Sequence, residues 1–67
     1  MVLAYGSRVQ ALKNKIKSAI LNNRSVTSVY EATKNTELGI RRQTFFQIAN
    51  SVRMDAEKIL ALRELSP

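Results

Sequence analysis

Three amide side chains have the spacing that places them on one face of a helix: Gln43, Gln47 and Asn50. A helix turns by about 100° per residue, so positions i, i+4 and i+7 point in nearly the same direction. Amide groups presented together by one helix can donate and accept hydrogen bonds at base edges in the major groove of DNA. A solvated polar face has the same pattern, so the spacing alone leaves both interpretations open.

Cationic side chains give the chain a net charge of +6, and they are unevenly placed. Residues 1–24 contain five basic residues and no acidic one, whereas residues 25–67 contain six basic and five acidic residues. An acid-free basic segment attracts polyanions such as DNA, RNA or anionic lipid, although a basic soluble surface is the alternative. The candidate phosphate contacts lie beside the amide stripe and in the acid-free segment: Arg41, Arg42, Arg53, Lys13, Lys15 and Lys17.

A first helix is predicted over residues 8–21, with Ser7 as its N-cap. Its apolar residues recur at helical spacing and form one stripe: Val9, Leu12, Ile16 and Ile20. Lys13 and Lys17 lie on one flank of this stripe, and Arg8 and Lys15 lie on the other. Because cations border the stripe on both sides, the pattern favours a helix packed on the core over one with a dedicated basic face.

The first predicted break is the Asn-Asn-Arg-Ser segment at residues 22–25, because Asn and Ser favour turns. A second helix is predicted over residues 28–35, since Ser28 and Glu31 match the Ser-x-x-Glu capping box. A start nearer Ser25 is the alternative, because it would turn the neighbouring valines and tyrosine inward.

The third helix is predicted over residues 41–65, a stretch without Gly or Pro. Gly39, just before it, is the one position after Gly6 that can adopt a positive φ at little cost. A break near Asp55 is the alternative and would give four helices instead of three. Phe46, at the edge of the inner face, is expected to pack beneath a neighbouring helix, with the first helix as the candidate. The stripe expected to be buried consists of Phe45, Ile48, Val52, Ala56, Ile59, Leu60 and Leu62.

The segment over residues 26–53 resembles the helix-turn-helix unit of DNA-binding proteins. The resemblance is carried by Val29, Tyr30 and Ala32 in a first helix, by Leu38, Gly39 and Ile40 at the turn, and by residues 41–46 at the start of a second helix. It implies base contacts from Gln43, Thr44, Gln47 and Asn50, and phosphate contacts from Arg41, Arg42 and Arg53. Where the family usually has a small residue, four positions before the turn glycine, this chain has Asn35. Ala32 would take that place if the connection were about three residues longer than usual.

The chain contains no Cys and no His, which narrows the chemistry open to it. Disulfides and classical zinc sites are excluded. The usual general base and the strongest nucleophile are absent, so we expect no enzyme activity, metal or cofactor. No apolar run approaches the about 20 residues of a membrane span, and the first residues lack the pattern of a secretory signal. We therefore expect no membrane partner and a cytoplasmic, nucleoid or virion location.

Together these patterns predict one small all-α domain over residues 1–67, with a helix-turn-helix-like hairpin and a long C-terminal helix. The expected function is binding of nucleic acid, duplex DNA in preference to RNA, as a transcription or replication regulator. One alternative is a structural subunit of a ribosome-associated or virion assembly that binds nucleic acid through charge. Another is a helical module for a protein partner. Met54, Ala61 and Leu65 lie off the main stripe and are candidate contacts of a homodimer.

Overall fold

Three α-helices account for most of the chain in the computed structural model, which describes residues 5–65 and, of Tyr5, only the backbone. They are α1 (Tyr5–Leu21), α2 (Val26–Thr33) and α3 (Arg42–Leu65), and no strand occurs in the described range. The expectation of a small all-α fold with a long C-terminal helix is therefore confirmed. The helix count is three, because α3 runs through Asp55 without a break.

The start of α1 differs from the prediction, because Ser7 lies inside the helix and does not cap it. The helix begins at Tyr5 and passes through Gly6. A glycine in a helix costs only about 1 kcal/mol relative to alanine, so it does not by itself stop a helix. The preference of Ser for the N-cap therefore did not decide where α1 begins, because Gly6 and Ser7 can both lie inside a helix.

The end of α1 is closed by a Schellman motif at the predicted Asn-Asn break. Asn23 has a φ of 58°, the left-handed conformation that Asn tolerates better than most residues. The Arg24 N–H donates to the Ala19 carbonyl at 2.7 Å, and the Asn23 N–H donates to the Ile20 carbonyl at 3.1 Å. These two hydrogen bonds satisfy carbonyls that the last helical turn leaves without partners. The chain is thereby turned back so that α2 can pack against α1.

The second helix begins at the alternative position, with Ser25 as its N-cap residue. The predicted capping box is wrong, because Ser28 lies within the first turn of α2. Starting at Val26 brings the apolar side chains of α2 onto the core, and this burial outweighs the local capping signal. Glu31 instead pairs with Lys34, whose Nζ lies 2.7 Å from the carboxylate.

Residues 34–41 connect α2 to α3, and Gly39 is required there for a reason other than the predicted one. No glycine in residues 5–65 has a positive φ, so the structure does not use this freedom at Gly39. A Cβ at Gly39 would instead lie 2.5 Å from the Lys34 carbonyl oxygen and 2.9 Å from the Thr33 oxygen. The Gly39 N–H donates to the Thr36 carbonyl at 2.9 Å. Gly39 therefore allows the connection to pass close to the end of α2.

The core lies where α1 and α3 pack together, with α2 closing one side. Its central buried residues are Leu12, Ile16, Phe45, Ala49 and Val52. In α3 no position after Ala56 is buried, and Leu62, expected in the buried stripe, is 64% exposed. With 24 residues against 17, α3 is about 10 Å longer than α1 at 1.5 Å per residue. The C-terminal part of α3 therefore has too little of the other helices beside it to be buried.

An aromatic cluster joins α2 to α3. The Tyr30 ring lies 5.1 Å from the Phe45 ring at 64°, an edge-to-face arrangement, and 5.9 Å from the Phe46 ring. Such pairs stabilise packing beyond the burial of their area. The expectation that Phe46 packs beneath a neighbouring helix is confirmed, but the helix it contacts through this cluster is α2.

Candidate nucleic-acid interface

The amide stripe of Gln43, Gln47 and Asn50 is exposed on α3. Within the described part of the chain no hydrogen bond occupies these amide groups, so they are open to an external partner. The stripe covers seven residue steps, about 10 Å along the helix axis. The predicted arrangement of the three side chains on one face is thus present in the structure.

This stripe lies on the side of α3 that faces away from the core. Gln47 is about 160° around the helix from buried Phe45, and Asn50 is about 160° from buried Val52. The two faces therefore have separate roles: one packs against α1 and α2, and the other is presented to solvent. Contact with an external groove would require no rearrangement of the core.

Three arginines lie at the stripe's N-terminal end and along one edge. Arg42 places its guanidinium carbon 5.8 Å from the centre of the Phe46 ring, which itself contacts α2. Arg53 follows 11 residues later, about three helical turns, and so lies on the same edge of α3 as Arg42. Arg41 directly precedes the helix, and all three side chains are exposed. The structure therefore keeps the predicted arginines next to the amide stripe.

The three lysines of α1 are divided between two sides of the bundle. Lys15 is exposed and lines a cleft of about 400 Å³ between α1 and α2, together with Asn22 and Arg24. Lys13 and Lys17 each lie about 160° around α1 from Lys15, and both are half-buried. Lys13 and Lys17 therefore lie on a different side of α1 from Lys15, and the three lysines do not form one basic face.

Thr44 is set apart from the amide stripe with which it was grouped. It lies about 100° around α3 from Gln43 and is half-buried. Together with Arg8, Ile40 and Arg41 it lines a cavity of about 230 Å³. Its base contact remains a prediction.

Arg8 was not among the predicted site residues, although it carries one of the five charges of the acid-free segment. Spacing within α1 predicts on which flank of the apolar stripe Arg8 lies, but it does not predict which part of the fold lies beside Arg8. Only the packing of α1 beside the start of α3 brings Arg8 to the same cavity as Arg41.

In the connection between α2 and α3, Lys34 forms an ion pair with Glu31. A hydrogen bond from its ammonium group to Glu31, together with the attraction between the two charges, raises the pKa of Lys34 above its ordinary value. The positive charge of Lys34 is therefore offset by the neighbouring carboxylate of Glu31. It adds little to the positive surface offered by α3.

Other types of site find no support in the described residues. Across residues 5–65 no group of three or more potential metal-ligating side chains comes together. None of the helices in that part of the chain combines the length and apolar character needed to cross a membrane. The exposed face of α3 and the cavity at its start are the two features on which a functional interpretation is built below.

No protein-family model, curated protein or solved structure gives a significant match to this chain. The resemblance to helix-turn-helix units therefore depends on sequence pattern alone. In the structure, the connection between α2 and α3 has eight residues, compared with three or four in the usual turn. Asn35 and Ala32 are both exposed, and Thr33 is the residue of α2 that is buried. The hairpin therefore departs from the helix-turn-helix pattern in the length of its connection and in the residue of α2 that is buried.

Proposed function

We propose that this protein binds duplex DNA by placing the exposed face of α3 in the major groove. Gln43, Gln47 and Asn50 contact base edges, and the arginines beside them contact phosphates. The observation that carries this proposal is the row of exposed amides, unoccupied within the fold and bordered by cations. A role as a transcription or replication regulator would follow from sequence-selective binding of this kind.

The dimensions of α3 support this mode of binding. A helix with its side chains is about 10–12 Å across, and the major groove is about 12 Å wide. The amide stripe extends about 10 Å, which spans about three base pairs at 3.4 Å each. Three amide side chains therefore match the number of base pairs that the stripe can reach.

The distribution of charge supports contact with phosphates. Of the eleven basic residues nine precede residue 54, whereas only two of the five acidic residues do so. A strongly positive body attracts a polyanion from a distance and contributes affinity that falls as salt rises. The end of α3, with more acidic than basic residues from position 54 onward, is expected to lie outside the nucleic-acid contact.

The experiment that tests this proposal compares Gln47→Ala with Gln10→Ala on duplexes selected from a random pool. Gln10 is an exposed glutamine on α1, about 160° around that helix from buried Leu12, so it is a matched control. We expect Gln47→Ala to lose about 1–3 kcal/mol of preference at one base position. Binding to unselected duplex should stay nearly unchanged, and Gln10→Ala should resemble the parent protein. Equal preferences in all three proteins would contradict base reading by α3.

A second candidate function is that of a structural subunit in a nucleoprotein assembly. It is favoured by the apolar end of α3, where Met54 is 64% and Leu65 81% exposed. Large exposed apolar side chains suit contact with another chain. In that case, changing Lys13, Lys15 and Lys17 together to Gln should weaken binding to DNA and RNA alike. Gln47→Ala should then have no effect on sequence preference.

A further inference from the structure

A cavity of about 230 Å³ lies between α1 and the start of α3. Its lining residues include two arginines, Arg8 and Arg41, and one residue with a hydroxyl group, Thr44. Gly39 and Ile40 complete the wall. A water molecule occupies about 30 Å³ of liquid, so the cavity has room for a tetrahedral anion.

The side chains around this cavity match the chemistry of a phosphate group. Guanidinium groups present several N–H donors in a planar fork, which suits phosphate oxygens, and a threonine hydroxyl can donate one further hydrogen bond. No carboxylate is among the described residues that line the cavity.

The cavity wall is held in place by the connection that precedes α3. The Gly39 N–H is hydrogen-bonded to Thr36, and the Leu38 N–H donates to the Thr36 hydroxyl at 3.1 Å. Ile40 packs against the hydrophobic core. The Arg8 Nε is itself buried, so this guanidinium does not extend freely into solvent. Ligand groups on rigid elements lose less conformational freedom on binding than groups on mobile loops.

We infer that this cavity is a phosphate-binding site in which Arg8, Arg41 and the Thr44 hydroxyl hold one phosphate group. That group is either a backbone phosphate of a bound nucleic acid or a free phosphate. The first form rests on the proposed function, whereas the second is independent of it. The inference gives Thr44 a phosphate ligand in place of a base, and it adds Arg8 to the binding residues.

The test is an amide chemical-shift titration of the full chain with inorganic phosphate at constant ionic strength. We expect saturable shifts centred on Gly39, Ile40 and Thr44. Thr44→Val and Arg41→Gln should each weaken phosphate binding about tenfold, because each removes a hydrogen bond to a charged group. Arg24→Gln is the matched control, since it removes one positive charge at the far cleft, and it should leave binding unchanged.

Small, unsaturable shifts, or equal affinity in all variants, would overturn the site. Arg8→Gln provides a further variant, and the melting curve of each protein shows whether it is folded. If Arg8→Gln is unfolded, Thr44→Val and Arg41→Gln still decide the question.

A second titration, with unselected duplex DNA, distinguishes the two sources of phosphate. A backbone phosphate predicts that duplex shifts the same amides, and that Arg41→Gln lowers the salt slope of DNA binding by about one. Shifts with inorganic phosphate but not with duplex would support a site for free phosphate. The absence of both would overturn the site, while the comparison of Gln47→Ala with Gln10→Ala would still test DNA reading separately.

Discussion

At the scale of single residues, Gly39 shows how one position sets the direction of the helix that carries the candidate interface. Its backbone passes so close to the end of α2 that the Lys34 carbonyl oxygen would lie 2.5 Å from an added Cβ. The obstructing atoms belong to the backbone, so they cannot move aside as a flexible side chain would. The start of α3, and with it the amide stripe, therefore depends on the absence of a side chain at residue 39.

We predict that Gly39→Ala lowers the free energy of unfolding by about 1–3 kcal/mol, the usual cost of overpacking. The control is Gly6→Ala in α1, where an added Cβ meets no described heavy atom within 4 Å. That change should raise the free energy of unfolding by about 0.5–1 kcal/mol, because alanine favours the helix. Urea denaturation followed by circular dichroism measures both. A Gly39→Ala protein as stable as its parent would show that the connection can shift at little cost.

Residue-level signals in the sequence identified several important positions but not always their roles. Gly39 was identified from the sequence as a position that can adopt a positive φ. Glycine is required there instead because the backbone passes close to the end of α2, a contact that the sequence does not reveal. Ser7 and Ser28 matched capping patterns that the structure does not use, because packing set where the helices begin. Gln43, Gln47 and Asn50 were placed correctly on an exposed face, since their spacing depends only on helix geometry.

At the scale of secondary-structure elements, the division of α3 into two faces is the main feature. The inner face buries Phe45, Ala49, Val52 and Ala56, and the outer face carries the amides. Periodicity predicted this division and the length of the helix. It did not predict that Phe46 contacts α2 or that Arg8 approaches Thr44, because both depend on how the helices pack.

The buried ring of Phe45 should contribute far more to the stability of the fold than the half-buried ring of Phe46. We predict that Phe45→Ala costs about 3–5 kcal/mol, which would leave a domain of this size largely unfolded. Phe46→Ala should cost about 1–2 kcal/mol, because the side chain is only half-buried. Thermal melts of both variants give the comparison. Equal losses would contradict the assignment of Phe45 as the centre of the core.

The loop after α1 gives a second prediction at the element scale. Asn23→Ala should lower the free energy of unfolding by about 1 kcal/mol, because alanine is strained at a φ of 58°. Asn23→Gly should be neutral or stabilising, since Gly is the residue most often found at this position of the motif. Urea denaturation of the pair measures the difference. If Asn23→Ala is more stable than Asn23→Gly, the left-handed conformation of the Schellman motif is not what stabilises the end of α1.

At the scale of the whole molecule, a positive body is joined to a long helix whose end is exposed and apolar. Met54 and Leu65 lie on the same side of α3 as the amide stripe, about one and about four turns beyond it. The same helix therefore offers one region suited to DNA and another suited to a protein partner. A homodimer through this end would present two copies of the amide stripe to two half-sites.

We predict that Met54→Glu and Leu65→Glu change the free energy of unfolding by less than about 0.5 kcal/mol, because both side chains are largely exposed. If the end of α3 forms the homodimer contact, each change should lower the molar mass measured by sedimentation. A loss of stability without a change in mass would instead assign these side chains a role within the monomer fold.

The most direct test of DNA binding is fluorescence anisotropy of labelled duplex DNA, duplex RNA and single strands, titrated with the protein at several salt concentrations. We predict tightest binding to duplex DNA. Three exposed arginines lie on α3 or directly before it, namely Arg41, Arg42 and Arg53, so log affinity should fall against log salt with a slope of about −3. Equal affinity for all three nucleic acids, or no binding at low salt, would contradict the insertion of α3 into the major groove.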